Sequence, residues 1–329
     1  MADPPHPPAT GTTGVSFVIP VYNAEGSLPE LVRRLREVMA AARIPCELIF
    51  VNDASRDRSM EVLHGLAGGS RDIVVLDLMR NYGQHNALLC GIRAARHPVI
   101  VTMDDDLQHP PELIPDLLAA LTYDRDVVYG TPRDQPHGLL RGFASVVTKW
   151  TLQGVMGAEI ARQVSALRIF RTHLREAFRD YRGPFVNIDV LLTWGTSRFA
   201  AIPIRHEPRL QGVSGYSFWK LVTHTFNMLT GFTIWPLQAA SLLGFALTLF
   251  GFIVLAFVLI RTWLENAAPA GFPFLASIIA IFSGAQMFAI GIIGEYLARM
   301  HFRLMDKPPY CVRSASGPAP PPGAPEDAA

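Results

Sequence analysis

Between Leu221 and Ile260 the chain carries no Asp, Glu, Lys or Arg, and a second uncharged run covers Asn266–Gly294. Nothing else in the sequence limits the fold as strongly. The most apolar part of the first run is Leu237–Ile260. At about 1.5 Å per residue it makes a helix of about 36 Å, enough for a hydrocarbon layer of about 30 Å. The second run predicts a helix from near Phe274 to about Ala298. Two such runs back to back predict membrane spans at 233–263 and 272–298. The competing reading is a pair of buried helices in a water-soluble domain. The turn between the runs carries one Arg and one Glu, whereas the outer flanks carry Lys220, Arg299, Arg303 and Lys307. The positive-inside rule therefore predicts a multi-pass protein of the inner (cytoplasmic) membrane, with both termini and the large N-terminal domain in the cytoplasm. Segment 215–232, "GYSFWKLVTHTFNMLTGF", mixes aromatic rings, Lys220 and apolar residues and suits an interfacial helix.

Composition narrows the function classes. A formal charge of +1 over 329 residues gives no broad basic field, which argues against nucleic acid as a partner. Cys46, Cys90 and Cys311 lie far apart and form no CxxC pair, so zinc and redox motifs are not expected. The mean hydropathy of +0.23 fits a chain with membrane segments. The first 14 residues are Pro- and Gly-rich, lack the apolar core of a signal peptide and predict a disordered tail. Residues 299–329 predict a largely disordered cytoplasmic tail on the same composition.

From residue 15 to 214, strand and helix signals alternate. "VSFVIPVY", "CELIFVND", "DIVVLDLM" and "VIVTMD" read as strands; the stretches between them have helical spacing, the first with Ser27 as a candidate N-cap. This order predicts an α/β domain with a parallel sheet covered by helices. Ligands of such sheets bind beyond the carboxyl ends of the strands. Tyr22 and Asn23, Asn52 and Asp53, and Asp104 to Gln108 all fall there. The triplet Asp104, Asp105 and Asp106 places like charges side by side, tolerable if solvated or if a cation sits among them. Along an extended chain Asp104 and Asp106 share a side, with Gln108 able to join them. Two carboxylates and an amide oxygen make a hard oxygen site for Mg²⁺ or Mn²⁺. The alternative is a solvated acidic turn.

In order, the segments "VSFVIPVYNAEGSL", "FVNDASRDRS", "RNYGQHNALLCGIRAA", "MDDDLQHPPELIP" and "VVYGTPRD" resemble glycosyltransferase family 2. The resemblance runs over about residues 15–305. It lies in the polyprenyl-phosphate branch that includes dolichol-phosphate mannose synthase. It implies a GT-A catalytic domain over 15–214, a nucleotide-sugar donor (UDP-linked), a divalent metal, and a polyprenyl-phosphate acceptor (undecaprenyl phosphate) held in the bilayer. By the same resemblance, Pro20, Tyr22, Asn23 and Glu25 face the nucleotide, although Ala24 separates Glu25 from the Tyr-Asn pair. Asp53 reads the base, and Asp57 shares its loop. Asp104, Asp106 and Gln108 hold the metal and diphosphate. Arg133, Arg141 and Arg168 are catalytic cations, and Arg209, Ser214 and Tyr216 close over the acceptor phosphate. Each has a plainer reading: Asp53 as a helix cap, Arg133 and Arg141 as surface residues, Tyr216 and Trp219 as interface anchors, His85 as a structural residue. The implied activity is inverting, metal-dependent transfer of one sugar, and a homo-oligomer is compatible with it. A processive polysaccharide synthase is the runner-up, but no QxxRW motif is present. A transporter or non-catalytic scaffold is the other alternative.

Overall fold

The computed structural model describes residues 14–132, 164–183, 186–205, 235–265, 271–305 and 307–317. The chain forms two compact units: Met1–Ser217 with Lys307–Ala329, and Phe218–Asp306.

The first unit is built on four apolar runs that become parallel neighbours: β1 (Val15–Val21), β2 (Cys46–Asn52), β3 (Ile73–Leu78) and β4 (Val99–Thr102). Helices α1 (Leu28–Ala42), α2 (Ser59–Ala67) and α3 (Gln84–Ala94) connect them. After β4 come α4 (Ile114–Ala119), β5 (Val127–Pro132), β6 (Arg168–Arg171), α5 (Ile188–Gly195) and β7 (Phe199–Ile204). A last strand, β8 (Val312–Ser316), completes the order β7-β5-β6-β4-β1-β2-β3-β8. Strand β6 runs antiparallel to β4 and β5, and β8 runs antiparallel to β3.

Side-chain alternation along the strands divides the core in two. Phe17, Ile19, Leu48, Phe50 and Val101 pack under α1, α2 and α4, with Leu31 and Leu35 of α1 fully buried against them. Val18, Ile49, Val51, Leu76 and Ile100 face α3 and α5. This is the period-two pattern of a sheet covered on both faces. Helix α3 crosses the sheet closely because Gly91 has no side chain: a Cβ there would lie 2.4 Å from Val18 Cγ1. Ser27 stands at the N-cap position of α1, but its hydroxyl donates to the Ala24 carbonyl at 3.2 Å and does not cap the helix.

The second unit contains α6 (Trp235–Glu265) and α7 (Phe272–Leu304), which pack against each other. Phe282 of α7 occupies the space a Cβ on Gly251 of α6 would need, 3.1 Å away. Helices thus stand where both uncharged runs predict them, with α7 continuing beyond 298. Within α6, Leu237–Val254 is long and apolar enough to cross a bilayer, with mean hydropathy 2.0 and only 6% of it buried. Phe245, Phe252 and Phe257 point outward. The interfacial segment 215–232 and the tail before Gly14 lie outside the described residues.

The expectation of a largely disordered segment 299–329 is corrected over its first part. Helix α7 reaches Leu304, and β8 joins the sheet. "VRSAS" has no apolar alternation of its own to signal a strand. It is ordered by the open edge of β3, whose N–H and C=O groups it satisfies.

Candidate active site

The loops at the carboxyl ends of β1 to β4 enclose a cavity of about 270 Å³. The β1 end contributes Pro20, Val21 and Tyr22, and the β2 end Asp53. Asn81, Gly83 and Gln84 come from the loop after β3 and the start of α3, and Asp104 and Asp105 from the end of β4. The backbone is strained at this end of the sheet. Asn23, Ala54 and Leu107 all take positive φ, of 56°, 55° and 60°, each in a loop that follows a parallel strand.

Asp53 is 3% exposed, and both its carboxylate oxygens are held: Oδ1 by the Tyr82 N–H at 2.7 Å, Oδ2 by the Gly83 N–H at 2.8 Å. Burial raises its pKa, and the two amide bonds oppose the rise. Gly83 supports this arrangement with φ 91°, a conformation that side chains disfavour. Asp53 thus ties the β3–α3 loop to the end of β2 while lining the cavity.

The aspartate triplet is not arranged as alternation predicts. Strand β4 ends at Thr102, and the chain then turns, with Leu107 left-handed. Asp104 and Asp105 line the cavity together. Asp106 is buried and its Oδ1 accepts the Gln108 N–H at 3.1 Å, so it turns back on its own loop. Neither Asp106 nor Gln108 lines the cavity. Alternation holds only while the chain stays extended, and here it does not. Asp104 Oδ1 accepts from Gln84 Nε2 at 2.6 Å, and Asp105 Oδ2 from the Tyr22 N–H at 3.4 Å. Burial, with the neighbouring Asp104 charge adding to it, pushes Asp105 up to about 7.

Other predicted residues are occupied in lacing two loops. Asn23 Oδ1 accepts the Arg56 N–H at 2.8 Å, and the Asn23 N–H donates to Ser55 Oγ at 3.1 Å. Glu25 Oε2 accepts the Arg58 N–H at 2.9 Å, and Asp57 Oδ2 accepts the Glu25 N–H at 3.1 Å. Burial would raise the pKa of Asp57, but its hydrogen bonds from Ser59 and Glu25 hold it low. These three brace the β1–α1 loop against the β2–α2 loop, and none lines the cavity. Arg168 stands away from the cavity wall. It is 3% exposed on β6, with Nε 3.1 Å from Oδ1 of Asp189, and does not line the cavity. The Tyr129 hydroxyl donates to the same Asp189 oxygen at 3.1 Å, completing a buried polar cluster beneath α5. His85 Nδ1 accepts the Ile188 N–H at 3.3 Å, joining α3 to α5. Arg133, Arg141, Arg209, Ser214, Tyr216 and Trp219 lie outside the described residues.

Sequence reasoning missed Asn81, Gly83 and Gln84 as cavity residues. The signal was available: they follow β3, and loops after parallel strands carry ligands.

The sequence profile of Glycosyl transferase family 2 matches residues 16–166. The undecaprenyl-phosphate 4-deoxy-4-formamido-L-arabinose transferase of Shewanella sediminis (strain HAW-EB3) is 34% identical over 303 residues, covering 91% of this chain and 91% of that protein. The chain belongs to glycosyltransferase family 2. The protein of the same name from Pectobacterium carotovorum subsp. carotovorum (strain PC1) is 35% identical over 311 residues, 93% of this chain and 95% of its own length. A crystal structure of a mycobacterial protein aligns with TM-score 0.50 at 18% identity, over 68% of this chain and 78% of that one, a likeness of fold. The family 2 match runs from the second residue of β1 to beyond β5, so it contains the whole cavity wall. The mostly parallel α/β sheet agrees with the GT-A architecture expected of this glycosyltransferase.

A divalent cation is testable against these residues. Among the described residues no group of three or more His, Cys, Asp and Glu side chains closes into a cage. Asp104 and Asp105 do line one cavity, and a cation bound there would offset the repulsion between their charges. Mg²⁺ and Mn²⁺ commonly take one or two carboxylates and complete their shell with phosphate oxygens and water. The donor set fits such an ion.

Proposed function

We propose that this glycosyltransferase moves one sugar from a UDP-linked donor to a polyprenyl phosphate, undecaprenyl phosphate being the acceptor to test first, at the cytoplasmic face of the membrane. The observation that carries the reading is the cavity walled by Asp53, Asp104 and Asp105 in a family 2 chain. Its relatives, named as undecaprenyl-phosphate sugar transferases, match over nine-tenths of its length. The apolar window in α6 supports an acceptor that stays in a bilayer. Chain connectivity supports an even number of crossings: the chain leaves the first unit after Ser217 and returns to its sheet as β8. Helix α7 supplies a second crossing.

The chemistry asks little of a general base. A lipid phosphate is ionised near neutral pH, and its oxygen attacks C1 of the sugar. The bond from C1 to the diphosphate oxygen breaks as the new one forms. The nucleoside diphosphate departs with the electron pair, and the anomeric centre inverts. A bound Mg²⁺ or Mn²⁺ would offset the charge that develops on the diphosphate. Asp104 and Asp105 would hold it, with Gln84 fixing the rotamer of Asp104. Asp53 keeps the β3–α3 loop at the cavity wall. The protein's contribution is largely positioning. Arg133, Arg141, Arg209, Ser214 and Tyr216 remain proposed phosphate contacts on the family resemblance.

The test is a screen of nucleotide-sugars with undecaprenyl phosphate, read by mass spectrometry of the lipid. One sugar per lipid is expected, abolished by EDTA and by Asp104→Asn. Lipids bearing several sugars would return the processive alternative. Full turnover in excess chelator would remove the metal.

A further inference from the structure

We propose that strand β8, with Cys311 just before it, is a positioning element for the donor cavity, acting through Cys311 and Arg313 on the loop that carries Asn81 and Gly83. This rests on reading that cavity as the nucleotide site.

The loop between β3 and α3 spans only Met79–Gly83 and supplies one wall of the cavity. Its far end is held by Asp53, through the Tyr82 and Gly83 amides. Its near end is held from the other terminus of the protein. The Met79 N–H donates to the Cys311 carbonyl at 3.0 Å, and the Met79 carbonyl accepts from Arg313 Nη2 at 3.0 Å. Both backbone groups of Met79 are therefore engaged by residues more than 230 positions later.

The register makes this more than an edge contact. The pairing of β3 with β8 is irregular between Asp77 and Leu78, where the strand gives way to the loop. Arg313 Nη1 lies 3.6 Å from Asp77 Oδ2 at that point. Asp77 Oδ1 accepts Asn52 Nδ2 at 2.7 Å, and Asn52 Oδ1 accepts the Ser55 N–H at 3.2 Å. One guanidinium is thus linked to the loops after both β2 and β3. Just before β8, the Tyr310 hydroxyl accepts from Arg93 Nη1 at 3.4 Å, and the Arg93 guanidinium stands 5.7 Å from the Tyr310 ring centre. That anchors the same segment on α3, the helix that begins with Gln84. At the other end of the strand, Gly317 has φ 138°, and a Cβ there would sit 3.0 Å from the Ile73 carbonyl oxygen. Removing the segment would leave Met79 without either backbone partner and Asp77 without Arg313. The loop would then be free at its near end.

The full chain in lipid nanodiscs supplies the test, with UDP and Mg²⁺ as the probe. The variants are a chain ending at Asp306, Arg313→Ala and Arg313→Lys. Two quantities are read: UDP affinity, and hydrogen–deuterium exchange of the amides from 79 to 86. Truncation is expected to weaken UDP binding by about tenfold or more and to speed exchange at 79–84, and added peptide 307–317 to reverse both. Arg313→Ala is expected to weaken binding about threefold to tenfold, the scale of one net hydrogen bond. Arg313→Lys should recover part of that loss. Wild-type affinity and exchange in the truncated chain would overturn the proposal. So would faster exchange spread evenly over β1 to β4, which marks a merely structural edge. If the truncated chain does not fold, Arg313→Ala decides alone, and unchanged affinity and exchange there overturn the proposal. If wild type binds no UDP, the nucleotide reading of the cavity fails. The exchange arm then decides whether β8 holds the loop.

Discussion

Replacing Asp189 with leucine is expected to lower stability by about 3–5 kcal/mol, the cost of removing one partner of a buried ion pair. The side chains of Arg168 and Asp189 are only 4% and 5% exposed. Nε of Arg168 lies 3.1 Å from Oδ1 of Asp189, and Nη2 donates to Oδ2 at 3.4 Å. Among the described residues neither Nε nor Nη1 makes a hydrogen bond, so the guanidinium depends on this one carboxylate. The loss is a large share of the roughly 5–15 kcal/mol that holds a domain together. At about 2–4 °C per kcal/mol, the thermal midpoint should fall by about 6–20 °C. The control is Arg168→Met, Asp189→Leu and Tyr129→Phe together. It replaces the polar cluster with apolar groups of similar volume, a change that is often neutral or stabilising. Thermal unfolding of the full chain in detergent, beside turnover of the lipid product, is the assay. The triple variant should keep a midpoint within a few degrees of wild type and a turnover within about tenfold of it. If it folds normally yet loses turnover by about a hundredfold or more, Arg168 acts on the substrate and the structural reading of the cluster is refuted. An unchanged midpoint in Asp189→Leu would refute the energetic argument itself.

Gly91→Ala places a methyl group 2.4 Å from Val18 Cγ1 and 3.1 Å from Val51 Cγ2, which should cost about 1–3 kcal/mol despite the helix preference for Ala, read by denaturant midpoint. Glu47 is 2% exposed; burial would raise its pKa, but hydrogen bonds from Ser16 and Arg96 outweigh that and lower it. Its contribution is therefore present above the ordinary glutamate value of about 4.3 and lost as pH falls through the lower folded value. Wild type should lose more stability than Glu47→Gln in urea titrations taken from pH 7 to pH 3, and parallel loss would contradict the assignment.

Much of the fold was legible because its information is local. The four parallel strands were written as β-branched runs separated by helical spacing, and burial on both faces leaves such runs little choice. The uncharged stretches marked α6 and α7 for the same reason, since an apolar run of that length has few places to go. The cavity end of the sheet was legible from topology alone. The orientation of individual side chains was not. Asp105 replaced Asp106 in the cavity wall because β4 stops at Thr102 and the chain is already turning at Asp105, so strand alternation no longer applies. Arg168 kept the register of its motif, but its neighbours Asp189 and Tyr129 arrive from elements 21 and 39 residues away in either direction.

The sequence by itself determined the α/β class, the long apolar helix α6 and the family, because each depends on the order and period of residue types along the chain. Only the tertiary structure decided which carboxylates share the cavity, that Asn23, Glu25 and Asp57 brace loops, and that "VRSAS" is a strand. Those outcomes depend on which hydrogen-bonding groups are left open when distant segments meet. Met79 is held by Cys311 and Arg313 because β3 presents an unpaired edge there and the returning chain satisfies it.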